Sequence, residues 1–191
     1  AIHKTAADGE VGATFDKYIV KQYLIDAQGN VTDSTQDVAF KVDMKANVKK
    51  PASQRVLPVY VSKLDDGSTK YVIPMYGAGL WGPIWGYMAV ESDGQTVYGA
   101  NFSHESETPG LGARIAEKPF QDEFKGKKLY ENGAFKGVEV LKKGQKSTTG
   151  ADHVDALSGA TITSRGVSSM LTDCLAPYDS FFKKLQGETA K

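Results

Sequence analysis

Residues 84–102 read Ile-Trp-Gly-Tyr-Met-Ala-Val-Glu-Ser-Asp-Gly-Gln-Thr-Val-Tyr-Gly-Ala-Asn-Phe, and this stretch decides the fold class. Two runs rich in aromatic and β-branched residues, 84–91 and 96–102, flank the polar segment 92–95. The Asp-Gly pair in that segment is a strong signal for a tight turn between antiparallel strands. The stretch therefore predicts a β-hairpin.

Upstream of this hairpin, the chain predicts more strand. Residues 55–62 and 71–74 flank a second Asp-Gly turn at 65–68, which predicts another hairpin. Each of its strands contains a proline, Pro58 or Pro74. Because proline has no N–H to donate to a sheet, these positions indicate an edge strand or interrupted pairing.

Nearer the N-terminus the patterns are weaker. Residues 18–26, followed by a Gly-Asn turn at 28–31, predict a strand, and residues 37–47 have a weak helical spacing.

Downstream, the chain turns helical. A short helix is predicted at 117–124 and a further strand at 137–141. The strongest helical pattern follows, with Thr163 or Ser164 as its N-cap and Pro177 interrupting near its end. Its apolar residues recur at helical spacing: Val167, Met170, Leu171, Cys174 and Leu175. A second short helix is predicted by Tyr178, Phe181, Phe182 and Leu185.

Strands in the middle and helices at the end, without regular βαβ alternation, predict an α+β fold with a mainly antiparallel sheet and helices packed against it. The length of 191 residues favours one domain, 1–191. We expect an ordered core over about 12–186, with frayed ends at 1–11 and 187–191.

Composition excludes several classes of function. Lys+Arg and Asp+Glu both number 23, so no excess of positive charge is available for nucleic acid. The lone Cys174 has no partner for a disulfide, and a buried structural thiol is expected. Residues 71–90 carry no charge, but their prolines and glycines would break a membrane-spanning helix. The opening residues resemble neither a signal peptide nor an initiator segment, as in a mature or truncated protein.

Common catalytic and metal motifs are weak here. Residues 77–82 match a dinucleotide fingerprint by letter, but the strand pattern that follows favours a glycine-rich turn against aromatic packing. The three histidines are isolated from one another, so no metal site is predicted. Asp152, His153, Asp155 and Ser158 could suggest a hydrolase, but no nucleophile elbow surrounds the serine. We predict no catalytic acid, base or nucleophile.

One segment does specify chemistry. Residues 155–164 read Asp-Ala-Leu-Ser-Gly-Ala-Thr-Ile-Thr-Ser, directly before the strongest helix. Small residues allow close approach to the backbone, and the unpaired N–H groups of a helix start suit a phosphate. Thr161 would meet that phosphate with a hydroxyl. The alternative is a helix start with Gly159 as its turn and no ligand.

Asp155-Ala156-Leu157-Ser158-Gly159-Ala160-Thr161 resembles the flavinylation motif of FMN-binding domains in bacterial respiratory complexes. Residues 107–112, Glu-Thr-Pro-Gly-Leu-Gly, resemble that family's second signature, a loop beside the flavin ring. Residues 76–81 and 18–29 look most like the C subunit of sodium-translocating NADH:quinone oxidoreductases. The paralogous G subunit of the Rnf electron-transport complex is the near alternative.

The resemblance implies an FMN-binding domain fold and an electron-carrying subunit of a membrane respiratory complex. Thr161 would carry FMN through a phosphoester made by a separate flavin transferase that uses FAD. The hydroxyls of Ser158 and Thr163 would be additional donors to the phosphate. The implied cofactor-binding residues are Leu157, Ser158, Gly159, Ala160, Thr161, Thr163, Thr108, Gly110, Leu111 and Gly112.

The same resemblance implies that other subunits of the complex are partners. The domain would face the periplasm at the bacterial inner membrane, and the N-terminal membrane helix of such a protein is absent from this chain. An alternative from another class is a non-catalytic module that binds subunits and uses residues 158–161 only to start a helix.

Overall fold

A computed structural model describes residues 1–2, 4, 6–7 and 9–189. Its strands are β1 (Ile19–Ile25), β2 (Val31–Asp33), β3 (Leu57–Lys63), β4 (Thr69–Ala78), β5 (Pro83–Glu91), β6 (Val97–His104), β7 (Tyr130–Glu131), β8 (Ala134–Phe135), β9 (Val138–Leu141) and β10 (Asp152–Asp155). Its α-helices are α1 (Val11–Tyr18), α2 (Met44–Asn47), α3 (Lys118–Asp122), α4 (Thr161–Leu175) and α5 (Asp179–Thr189), with 3-10 turns at Ala52–Gln54, Gly112–Ala116 and Ala176–Tyr178.

The main sheet has six strands in the order β2-β1-β3-β4-β5-β6, and every neighbouring pair is antiparallel. The hairpin predicted at 84–102 is β5 and β6. Asp93 Oδ1 accepts the N–H groups of Gln95 and Thr96, and Gly94 has φ +64°. These features form the turn that the Asp-Gly pair predicts, and the predicted α+β class is confirmed.

Both prolines of the other hairpin lie where their strand has a single partner in the sheet. Pro58 pairs with Leu24 of β1, whereas β3 pairs with β4 only over residues 60–63. Pro74 pairs with Tyr87 of β5, beyond the part of β4 that pairs with β3. The two prolines therefore lie at interrupted pairing, which is one of the two arrangements predicted for them.

Helices pack on both faces of this sheet. The larger hydrophobic cluster joins one face to α4 and α5, and its fully buried members include Ile73, Met88 and Leu171. A smaller cluster on the other face is built around Tyr60, against which Phe15 of α1 packs edge to face. The sheet is thus sandwiched, and α4 lies across its larger core.

Close contact brings α4 onto β4. A Cβ added to Gly166 would lie 2.2 Å from the carbonyl oxygen of Ala78, and one added to Gly77 would lie 2.8 Å from Cβ of Met170. Only glycine permits this approach at both positions. A short parallel pair, β9 with β10, leads the chain into the start of α4. The main sheet, through β4, and the separate β9–β10 pair together fix the position of α4.

Several local predictions need correction. Residues 37–47 form turns and one helical turn, α2, rather than a helix across the range. The stretch 1–11, expected to fray, ends at Val11, the first residue of α1, and Ala1 and Ile2 pack against the smaller cluster. The C-terminal residues expected to fray include the end of α5. His3, Thr5, Asp8, Ala190 and Lys191 lie outside the described residues.

Over the described ranges, each helix is too short or too polar to cross a bilayer.

Candidate functional site

The start of α4 presents one hydroxyl to solvent and withdraws two others. Thr161 and Ile162 are exposed, whereas Thr163 and Ser164 are each only 1% exposed. The N-cap is Ala160, which has no side-chain group that could cap the helix. The predicted N-caps, Thr163 and Ser164, are therefore wrong, and both lie inside the first turn. Thr161 is the hydroxyl that another molecule could reach.

Ser164 shapes the turn that precedes the helix. Its Oγ accepts the N–H of buried Leu157 at 3.1 Å, and its N–H donates to the carbonyl of Ala160 at 2.9 Å. Within the described chain, no side chain caps the first N–H groups of α4. Helix geometry leaves these groups without partners inside the helix, so they suit an anionic oxygen.

Gly159 makes room for the neighbouring loop. Its φ is +76°, and a Cβ there would lie 2.9 Å from Cδ2 of Leu111. Both the backbone conformation and the available space therefore favour glycine. The contact brings together the two segments that sequence analysis singled out, residues 155–164 and 107–112.

Glu107 provides the second and stronger connection. This side chain is 4% exposed, and its Oε2 accepts the hydroxyl of Thr163 at 2.5 Å. Its Oε1 accepts the backbone N–H of Trp81 at 2.8 Å. The family resemblance puts Glu107 in a signature loop, but neither Glu107 nor Trp81 is among the cofactor-binding residues that it implies. The sequence feature that could have indicated Glu107 is an acidic residue at the start of a loop that contains Pro109 and Gly110.

The rest of the 107–112 loop folds back on itself. The carbonyl of Thr108 accepts the N–H groups of Leu111 and Ala113, both at 3.1 Å. Gly110 has φ +74°, and Leu111 is 42% exposed. Gly112 is buried, and a Cβ there would lie 2.4 Å from Oε2 of Glu107. The loop thus holds Leu111 at the surface, while Gly112 at its end lies against the side chain of Glu107 at its start.

Residues 77–82 form the tip of the β4–β5 hairpin. The N–H of Gly79 donates to the carbonyl of Gly82 at 2.8 Å, and β5 follows directly. The rejected dinucleotide motif is thus a glycine-rich turn, as predicted, although part of it packs on α4 rather than on aromatic rings. Leu80 and Trp81 at this tip are 43% and 65% exposed.

Four exposed apolar side chains lie in the segments that the contacts of Glu107 and Gly159 bring together at the start of α4. They come from the hairpin tip, the 107–112 loop and the first turn of α4: Leu80, Trp81, Leu111 and Ile162. We call these four residues the apolar rim. Contact with a planar ring would remove water from these apolar side chains, as in most small-molecule sites. Tyr76 and Trp85, which pair across the hairpin, are half-buried instead.

The residues that could suggest a hydrolase belong to strand pairing and local contacts. Asp152 accepts the N–H of Lys128 at 2.8 Å, and the N–H of Asp155 donates to Glu123 at 3.1 Å. Asp152, His153 and Asp155 belong to β10, which pairs with β9. The Ser158 side chain is exposed. The start of α4 itself offers an exposed hydroxyl, uncapped N–H groups and nearby exposed apolar side chains, a set chemically suited to a phosphate and a planar ring such as those of FMN.

Comparisons with known proteins point the same way. The sequence model of the FMN-binding domain family matches residues 79–176, which include both signature segments. The C subunit of the Na(+)-translocating NADH-quinone reductase of Vibrio anguillarum is 34% identical over 83% of this chain and 67% of its own length. The corresponding protein of Chlamydia trachomatis is 39% identical over 66% of this chain.

Two solved structures are similar over nearly the whole chain. The C subunit of the enzyme from Parabacteroides distasonis has a TM-score of 0.84 at 42% identity, covering 95% of this chain and 86% of its own. Shewanella oneidensis NqrC has a TM-score of 0.73 at 30% identity, covering 96% and 91%. This chain matches only 45% of the length of the Chlamydia relative, and so spans part of such a protein.

Proposed function

The chain belongs to the FMN-binding domain family and is related to the C subunits of sodium-translocating NADH:quinone reductases. On this basis we propose that it is an electron carrier with FMN joined covalently to Thr161. The exposure of Thr161 is the observation that carries the proposal. The neighbouring hydroxyls of Thr163 and Ser164 are buried and already hydrogen-bonded. A modifying enzyme can therefore reach Thr161 and not the other two.

The attachment is a transfer of a phosphoryl group from FAD. The oxygen of Thr161 forms a bond to the phosphorus of the FMN portion, and the bond to the AMP portion breaks. AMP leaves, and the hydroxyl proton passes to the transferase or to water. The product is a diester with one negative charge, which the uncapped N–H groups at the start of α4 would help to stabilise.

A covalent bond suits this site because noncovalent binding there would be weak. An exposed helix start contributes only about 0.3 to 1 kcal/mol toward an anion. Ser158 is exposed beside Thr161 and supplies a further donor to the phosphate. Thr163 acts indirectly in this proposal, since its hydroxyl donates to Glu107.

The apolar rim would receive the flavin ring. Leu111 and Ile162 belong to two segments that are joined by the contacts of Gly159 and Glu107. Trp81 lies at the hairpin tip, which Glu107 also contacts. FMN supplies the chemistry, the reversible uptake of electrons, while the protein binds and orients it. The site needs no acid or base of its own for that role.

The remaining parts of the proposal concern the whole complex. The names of the relatives imply an enzyme of several subunits, so we propose that other subunits donate and accept the electrons. We also propose that a flavin transferase matures the protein. On the family resemblance we further propose that this domain lies on the periplasmic side of the inner membrane and that a helix outside this chain anchors it.

Intact mass spectrometry tests the attachment. The protein coexpressed with a flavin transferase should gain the mass of one FMN less water, mapped to the peptide that contains Thr161. Thr161→Ala should abolish the adduct, whereas Thr161→Ser, which keeps a hydroxyl, should retain some.

Protein made without the transferase is the essential control, because an electron carrier would also be colourless there. Covalent FMN on Thr161→Ala would show that the attachment residue is wrong. An unmodified wild-type chain in the presence of active transferase would favour the non-catalytic module.

A further inference from the structure

The carboxylate of Glu107 lies at the junction of three segments. It accepts hydrogen bonds from Thr163 in the first turn of α4 and from Trp81 at the β4–β5 tip. Its own N–H donates to Nδ1 of His104, at the end of β6, at 3.2 Å. One side chain thus ties the helix start, the hairpin tip and the signature loop together.

Two glycines make room for this carboxylate. A Cβ on Gly79 would lie 2.4 Å from Oε1, and a Cβ on Gly112 would lie 2.4 Å from Oε2 and 2.6 Å from the Thr163 hydroxyl. Neither contact is tolerated between real atoms, so both positions require glycine while Glu107 stays in place. The backbone of two separate loops is therefore shaped around one carboxylate.

Hydrogen bonds, rather than an ion pair, satisfy the buried carboxylate of Glu107. Among the described residues, no Lys, Arg or His forms an ion pair with Glu107. A carboxylate buried without a cation is costly, and hydrogen bonds satisfy it here. Hydrogen bonds to a carboxylate are shorter and stronger than those to a neutral acceptor. The two hydrogen bonds of Glu107 therefore fix the side chain of Thr163 and the backbone of Trp81 relative to each other.

We propose that Glu107 is a positioning residue that sets Thr161 and the apolar rim in the arrangement in which FMN is attached. The inference rests on the proposed function above. Thr161 lies two residues before Thr163 in the same helical turn, so fixing Thr163 fixes the backbone that carries the acceptor hydroxyl. In this proposal Glu107 acts by position and not as a base, because its two oxygens contact the Thr163 hydroxyl and the Trp81 N–H.

Steady-state flavinylation of the FMN-free protein by purified transferase and FAD tests the proposal. Glu107→Ala and Thr163→Val should lower kcat by about 10- to 100-fold, the cost of misplacing a reacting group, with little change in the KM for the protein. The conservative variants Glu107→Gln and Thr163→Ser keep a hydrogen bond at each position. They should restore kcat to within about threefold of wild type.

Matched variants control for the chemical change itself. Thr172→Val makes the same substitution at an exposed position of α4, where the hydroxyl only donates to the helix carbonyl of Ser168. Glu117→Ala removes an exposed glutamate from outside the junction. Both should react at the wild-type rate. Thermal unfolding sets an assay temperature at which every variant is folded.

Hydrogen exchange in the FMN-free protein gives a readout that needs no flavin. The amide of Trp81 is held by Glu107, so Glu107→Ala should speed its exchange by about tenfold or more, as for any amide whose local protection is lost. Glu107→Gln should keep most of the protection, because its amide oxygen can accept the same N–H.

The outcomes separate the two proposals. A wild-type protein that is modified at Thr161, with Glu107→Ala reacting at the same kcat, overturns the role of Glu107 alone. A loss of rate that Glu107→Gln does not restore, or an unchanged Trp81 amide in Glu107→Ala, also overturns it. A wild-type protein left unmodified by active transferase overturns the proposed function, and the role of Glu107 with it.

Discussion

The two ends of α4 are held in place by different forces. In its first turn, Thr163 and Ser164 are fixed by hydrogen bonds to Glu107 and to the N–H of Leu157. Further along, Leu171 and Leu175 are fully buried in the main hydrophobic cluster. The polar end presents a reachable hydroxyl, and the apolar end anchors the helix. The first turn of α4 therefore sets the geometry of the site, and the later turns contribute to the stability of the fold.

The same contrast appears between two side chains of α4 that carry a nucleophilic atom, Cys174 and Thr161. Cys174 is 5% exposed, its Sγ lies 3.5 Å from the carbonyl oxygen of Tyr76, and burial raises the pKa of the thiol. A thiol in this state is a poor nucleophile. Thr161 is the weaker nucleophile by nature but lies exposed at the other end. Accessibility, rather than intrinsic reactivity, decides which of the two can be modified.

The largest effect should follow from emptying the apolar end. Leu171→Ala removes a fully buried side chain and leaves a cavity, so the free energy of unfolding should fall by about 2 to 5 kcal/mol. Urea denaturation measures the change. A loss below about 1 kcal/mol would contradict the view that this end of α4 anchors the helix.

The next largest effect lies where α4 touches the sheet. In Gly166→Ala the new Cβ would clash with the carbonyl oxygen of Ala78, so the helix must shift, at a cost of about 1 to 3 kcal/mol. Gly187→Ala in α5 is the matched control, because nothing lies within 4 Å of its added Cβ. That variant should be neutral or slightly stabilised in the same denaturation series.

A smaller loss is expected at the polar end. Ser164→Ala removes the acceptor for the buried N–H of Leu157, which should cost about 1 kcal/mol of unfolding free energy. Ser169→Ala, at an exposed position of the same helix, should change it by less than about 0.5 kcal/mol. If the two serines behave alike, the hydrogen bond to Leu157 contributes nothing to the turn before α4.

These contacts also show why the sequence predicted some features and missed others. The β5–β6 hairpin was predictable because the Asp93-Gly94 turn is decided by residues that are neighbours in sequence. The apolar spacing of α4 was likewise visible, since its core residues lie on one face.

The N-cap was missed for a physical reason. Thr163 and Ser164 are good capping residues, but tertiary partners, Glu107 and the N–H of Leu157, hold their hydroxyls inside the first turn. The role of Glu107 could not be predicted from spacing, because its two donors lie far away in sequence, at Trp81 and Thr163. A family resemblance located the segments, whereas only the fold shows what joins them.

The smallest effect on stability, and the clearest separation of the two ends, is expected at Ile162. Its side chain is 55% exposed, so Ile162→Ser should change the free energy of unfolding by less than about 0.5 kcal/mol. If the apolar rim covers the flavin ring, the same variant should make FMN on Thr161 more accessible to iodide, measured by fluorescence quenching. Val11→Ser removes a side chain that is 65% exposed at the start of α1, outside the rim, and should leave quenching unchanged. Equal quenching in both variants would show that Ile162 does not cover the ring, and a large loss of stability at Ile162 would show that the polar end also anchors the helix.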